Sequence, residues 1–183
     1  MNRKFIFLII FSIIIFFIFY KIISFIDLNT TISSLKKYKL KKDEKVITHF
    51  KYNNYNYAIT SYSTNLSAHN NNHILLKLKN KYYLLDTIKK CDMNSYIEDN
   101  IMYVHCIGFN GDIDKYTINK TKIKQEKIKL DYSNTPNISQ LHIEIDNIDN
   151  KYIYLKSNVK VDDSKKKGNK VKCSLNSKKC KYY

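Results

Sequence analysis

The chain is poor in the residues that build most recognisable sites. Its 183 residues include three glycines, one proline, one arginine and no tryptophan. So little glycine leaves few places where backbone can approach a cofactor phosphate, and no phosphate-cradling loop is present. The lone arginine, Arg3, argues against nucleic acid as a partner. Readers of bases and phosphates lean on the bidentate guanidinium fork, and here the cations are lysines. No C-x-x-C or C-x-x-H pair offers zinc-ligand spacing. No serine elbow or metalloprotease helix occurs either. Neither a cofactor nor enzymatic activity is therefore expected.

What the chain does have is one long apolar run. Phe5 to Ile26 reads FIFLIIFSIIIFFIFYKIISFI, with Lys21 as its single charge. A helix rises about 1.5 Å per residue, so about 20 apolar residues match the ~30 Å hydrocarbon core of a bilayer. The run predicts a transmembrane signal-anchor helix over 5–26, with Phe5, Ile10, Ile15 and Ile26 in the apolar zone. Tyr20 and Lys21 suit its far interface, where a ring sits at headgroup depth and a lysine stem snorkels. A cleaved signal peptide would carry a shorter apolar core and small residues before the cut, and neither is found. No cysteine follows closely enough for a lipid-modified terminus.

The short basic N-terminus, residues 1–4 with Arg3 and Lys4, favours a cytoplasmic N-terminus and an extracytoplasmic C-terminal domain. Lys36, Lys37, Lys39, Lys41 and Lys42 pull the other way under the positive-inside rule, while Asp43 and Glu44 barely weigh in it. Residues 27–45 read as a basic polar stalk with a helical turn or two after Asp27 or Thr31. The whole chain carries a net charge of +16. It remains strongly basic without the N-terminal cations, because all the acids follow the apolar run. Such a surface suits a solvated exterior or an anionic envelope surface.

From Val46 the pattern becomes β. Tyr55–Thr60 alternates with period two, Ser67–His73 reads as a loop, and Ile74–Leu78 resumes a strand. Asparagine turns open three runs of β-formers, at Asn80, Asn100 and Asn150, since asparagine tolerates left-handed dihedrals. Gly108-Phe109-Asn110-Gly111 signals a hairpin leading into Asp112–Ile118. Leu141–Ile145 alternates as a further strand. The meander is similar to one or two propeller blades, but about 130 residues cannot close a ring of four or more blades. The expected fold class is an N-terminal transmembrane helix followed by an all-β domain over 46–183. That domain is an antiparallel meander, an open sheet or a small sandwich, ending in a lysine-rich hairpin.

Four cysteines permit three pairings. Cys91–Cys106 with Cys173–Cys180 is preferred, because each pair can sit on neighbouring strands within bridging distance. With Asn176-Ser177 as the turn, Cys173 falls opposite Cys180. Disulfides persist outside the cytoplasm, which agrees with the favoured orientation.

Other constellations are weaker. His69 and His73 have metal-pair spacing only on a helix, and three asparagines between them argue for a loop. His105 and Cys106, adjacent on a strand, point to opposite faces and cannot act as a nucleophile pair. His49 and His142 stand alone. The carboxylate pairs Asp112/Asp114 and Glu144/Asp146 share strand faces, where solvated positions outnumber acid–base pairs. Asp146–Asn150 lacks the glycine and closing glutamate of a calcium loop. The Lys165–Gly168 stretch reads as an exposed loop.

The function expected from all this is a membrane-anchored, non-enzymatic binding domain outside the membrane. Its partners would be the lipid bilayer and a protein or anionic envelope surface, as for an inhibitor or immunity factor. The alternatives are an envelope structural or assembly subunit and, behind it, an extracytoplasmic hydrolase.

Overall fold

A computed structural model describes residues 3–63, 69–135, 138–157 and 169–183. The chain divides into two compact units, Met1–Lys36 and Lys37–Tyr183. The first is a single helix, α1 (Arg3–Ser33). Every residue from 9 to 23 is exposed, including Ile10, Ile15, Phe16, Tyr20 and Lys21. At 3.6 residues per turn, continuous exposure over that stretch means apolar groups on all faces of the helix. The side chains of Phe5 and Ile26 lie outside those described.

Among the described residues no helix is long and apolar enough to cross a membrane. What stands in place of the expected span is an apolar, exposed helix. Helical backbone also continues through Asp27–Ser33, the first part of the expected stalk.

The second unit begins inside the expected stalk, with β1 (Lys37–Tyr38), and holds three antiparallel sheets in succession. The first comprises β1, β2 (Lys45–Tyr52), β3 (Tyr55–Tyr62), β4 (Asn71–Leu78) and β5 (Lys81–Ile88), ordered β1-β5-β4-β3-β2. The second comprises β6 (Asp92–Glu98), β7 (Ile101–Ile107), β8 (Ile113–Asn119) and β9 (Lys122–Ile128) in sequence order. The third comprises β10 (Ile143–Ile148), β11 (Tyr152–Ser157), β12 (Lys170–Ser174) and β13 (Cys180–Tyr182), also in sequence order. Two-residue turns join β2 to β3, β4 to β5, β6 to β7 and β8 to β9, and such turns leave no room for crossovers.

Residues 57–60 of β3, 72–76 of β4 and 102–105 of β7 are buried without interruption. Alternate residues point to opposite faces, so both faces of these strands are covered. Ile113 and Ile128 of the second sheet share one core cluster with Ile143, Ile153, Leu155 and Val171 of the third. Tyr57 ties the first sheet to the second by donating its hydroxyl to the Lys120 carbonyl at 3.0 Å.

The turns differ from expectation in one instructive way. In the turns before β5 and β7 the left-handed residue is Lys79 (φ 51°) or Asp99 (φ 51°), one place before the asparagine. The β2–β3 turn does use asparagines, Asn53 (φ 46°) and Asn54 (φ 65°). Gly111 answers to close packing: a Cβ there would meet the Tyr132 ring at 2.7 Å. Leu141 and His142, expected in a strand, sit in a 3-10 turn (Gln140–His142) before β10. Asn71–His73, expected in a loop, belong to β4, while Ser67 and Ala68 lie outside the described residues, as does Lys165–Gly168.

Candidate binding face

The third sheet presents its most unusual surface outward. Along β11, Ile153, Leu155 and Ser157 are buried, which turns Tyr152, Tyr154 and Lys156 to the other face. On β12 the same alternation buries Val171 and Cys173 and turns out Lys170, Lys172 and Ser174. Register then decides which side chains meet. Lys156 lies directly opposite Lys170, and Lys172 directly opposite Lys181. Directly opposed like charges destabilise a sheet. Glu144 of β10 lies opposite Lys156 on its other side, so Lys172/Lys181 is the pair that runs furthest against local electrostatics.

Tyrosines surround these lysines. The Tyr154 and Tyr183 rings meet edge to face at 5.4 Å, and Tyr152 and Tyr154 at 6.3 Å. Lys172 Nζ lies 5.2 Å from the Tyr152 centroid and 5.9 Å from that of Tyr183. Asp149, in the β10–β11 turn, accepts the Tyr154 hydroxyl at 2.8 Å and the backbone N–H groups of Lys151 and Tyr152, each at 2.7 Å. These bonds hold its carboxyl below the usual carboxylate range, and the bond to Asp149 pushes the Tyr154 phenol up. Lys170 has Asp146 at 3.8 Å. The result is a pre-positioned set of aromatic rings and ammonium groups, suited to large contact area and to carboxylates.

Two disulfides brace the domain. Cys173–Cys180 joins the directly opposed residues of β12 and β13, with Cα atoms 4.0 Å apart. Cys91–Cys106 links the residue before β6 to β7, with Cα atoms 4.8 Å apart.

The histidines are distributed among different roles. His69 Nδ1 lies 2.9 Å from Asp92 Oδ2, and its ring packs on Phe109 at 5.4 Å. Burial pushes the Asp92 carboxyl up, but the Asn70 backbone N–H and His69 outweigh it and hold the carboxyl below its ordinary value. His73 is buried in β4, with Nδ1 2.8 Å from Glu44 Oε1 and 2.9 Å from the Tyr38 hydroxyl. Glu44 also accepts from the Thr60 hydroxyl, the Tyr38 hydroxyl at 2.8 Å and the Lys41 N–H at 3.0 Å. Burial pushes this carboxyl up, yet the four donors together hold it below its usual range. Tyr62 stacks on His73, and Lys41 Nζ sits 3.6 Å above the Tyr62 ring. Glu44 and Tyr38 thus anchor the short strand β1 to the first sheet.

His105 is fully buried, and burial lowers its imidazole pKa. His49 and His142 are exposed. Asp112 and Asp114 line a cavity of about 310 Å³ with Lys89, Lys90, Lys127 and Cys106. Glu144 lies on β10, and Asp146 falls at a bulge. No group of three metal-ligating side chains is found among the described residues.

Sequence reading missed the opposed lysines and the Glu44 cluster. Lys156/Lys170 needed the β11–β12 register, while Lys172/Lys181 follows from the same β12–β13 register that sets Cys173 opposite Cys180. Glu44 carried no signal, because its partners lie up to 29 residues away in the chain. Comparison with protein families, curated proteins and solved structures finds no match for this chain.

Proposed function

We propose that this chain is a membrane-tethered binding module that offers the tyrosine–lysine face of its third sheet to an acidic protein outside the membrane, as an inhibitor or immunity factor does. The opposed lysines Lys172 and Lys181, with the Tyr152 and Tyr183 rings beside Lys172, carry this reading. An acidic partner turns their mutual repulsion into attraction and speeds encounter. The tyrosines add contact area at low entropy cost. The apolar helix supports the tether, because a helix apolar on every face is suited to lipid. The disulfides support an oxidising location on the far side of the membrane.

A photo-crosslinker placed at Tyr183 in the full-length chain, expressed in its own membranes, tests the face. One discrete adduct is expected, weakened by added salt and abolished by K172E/K181E. Equal crosslinking in that variant overturns the face. Release of the chain by alkaline carbonate, or protection of its C-terminus from added protease in sealed right-side-out cells, overturns the tether or its orientation separately.

A further inference from the structure

The two disulfides differ in their surroundings. Cys173 and Cys180 are buried at 0% and 1% exposure within the third-sheet core cluster. In the other bridge Cys91 is equally sealed at 0%. Cys106, however, is only half-buried and lines the 310 Å³ cavity. Lys89, Lys90 and Lys127 border that cavity, with Phe109 and Asn110 at its side and Asp112 and Asp114 as its carboxylates. Asp112 is engaged by the Asn110 amide at 3.0 Å. One oxygen of Asp114 is buried without a hydrogen-bond partner. Three ammonium groups against two carboxylates leave the opening cationic, and its size suits a small ligand.

We infer that Cys106 is a thiol–disulfide exchange position, open to a small thiol that carries carboxylates, and that Cys173–Cys180 is an inert staple. The cavity gives an incoming thiolate access from the side of Cys106, whereas Cys91 has no exposed surface. Attack on the Cys106 sulfur forms a new S–S bond between the thiol and Cys106 and breaks the bond to Cys91. The electron pair of the broken bond stays on the Cys91 sulfur, which takes up the proton released by the attacking thiol. No net oxidation occurs in this step, and a second thiol of the same class completes the reduction. The lysines attract the carboxylates and stabilise the attacking thiolate, which is the reactive species.

The test uses the full-length chain in a neutral detergent, exposed to reduced glutathione or, at matched thiolate concentration, to the cationic thiol cysteamine. Samples are quenched with an alkylating agent and mapped by mass spectrometry. The expected product carries glutathione on Cys106, alkylated Cys91 and an intact Cys173–Cys180 bridge. Glutathione should outpace cysteamine about tenfold, and K89A/K90A should remove that preference without slowing cysteamine. Adducts on Cys91, or reduction of Cys173–Cys180 at the same rate, overturn the assignment of the position. Equal rates for the two thiols in the unaltered chain overturn the role of the lysines.

Discussion

The second and third sheets have the same four-stranded, up-and-down order and differ in how they oppose their charges. In the second, Lys115 lies opposite Glu126 and Asp114 opposite Lys127, so each charge meets its complement. In the third, Lys156 faces Glu144 on one side but Lys170 on the other, and Lys172 faces Lys181. Composition alone does not produce the contrast, since both sheets draw on the same lysine-rich chain. The second sheet is arranged for its own stability. The third gives up some stability on one face, which is the pattern expected where a surface is kept for a partner. The first sheet shows a third use of acid: Glu44 is buried and satisfied by four donors, away from any surface lysine pair.

The largest effect is expected where the acid is buried. Glu44→Ala leaves His73, Thr60 and Tyr38 without their shared acceptor and should cost about 2–4 kcal/mol in urea unfolding of the full-length chain. Its pH dependence has a definite sign. The Glu44 carboxyl titrates below its ordinary range in the folded state. Its contribution is therefore complete above that range and drains away as pH falls through the lowered value. The alanine variant should lose this part of the acid limb; an unchanged limb would show that the cluster is not ionised as described.

Charge reversals on the two other sheets sharpen the contrast because they should move stability in opposite directions. Glu126→Lys places a lysine opposite Lys115 and beside Lys124, so the unfolding midpoint should fall. Lys181→Glu supplies the missing complement to Lys172 and should raise stability by under about 1 kcal/mol. Both changes should shrink at high salt, where screening acts within a few ångströms. If Lys181→Glu destabilises the domain, the lysine face is not a site of stored repulsion, and the comparison fails. The smallest effect belongs to Tyr154→Phe. It removes the hydroxyl bond to Asp149 from an exposed position, so the midpoint should barely move, while the Asp149 carboxyl should titrate higher by NMR.

Much of the β architecture was legible because it rests on short-range rules. The β-formers of Tyr55–Thr60 and Tyr152–Leu155 and the hairpin signal at Gly108–Gly111 mark strands and a turn, although residues 57–60 are buried on both faces where alternation predicted one. The C-terminal hairpin was legible for the same reason: Cys180 lies seven positions after Cys173, and Asn176-Ser177 falls midway. Strands β6 and β9 were not legible. No residue of β6 is fully buried, and β9 exposes all but Ile123 and Ile128, so neither has a clean apolar rhythm. Lys37–Tyr38 looked like stalk because its reason for being a strand is the Tyr38 contact with Glu44 and His73 across the fold.

The sequence by itself determined the apolar N-terminal helix, the β character of the remainder and the strongly basic charge. Each follows from residue type and from spacing within a few positions. Tertiary structure alone decided that the strands divide into three sheets and that Glu44 is an interior acid. It also decided that one disulfide opens on a cavity while the other is sealed. Register decided the rest. A shift of one residue between β11 and β12 would set each lysine of β12 against a core residue of β11 and dissolve the Lys156/Lys170 pair. That alignment is set by burial of Ile153, Leu155, Val171 and Cys173 in the shared core, which no single segment of the chain contains.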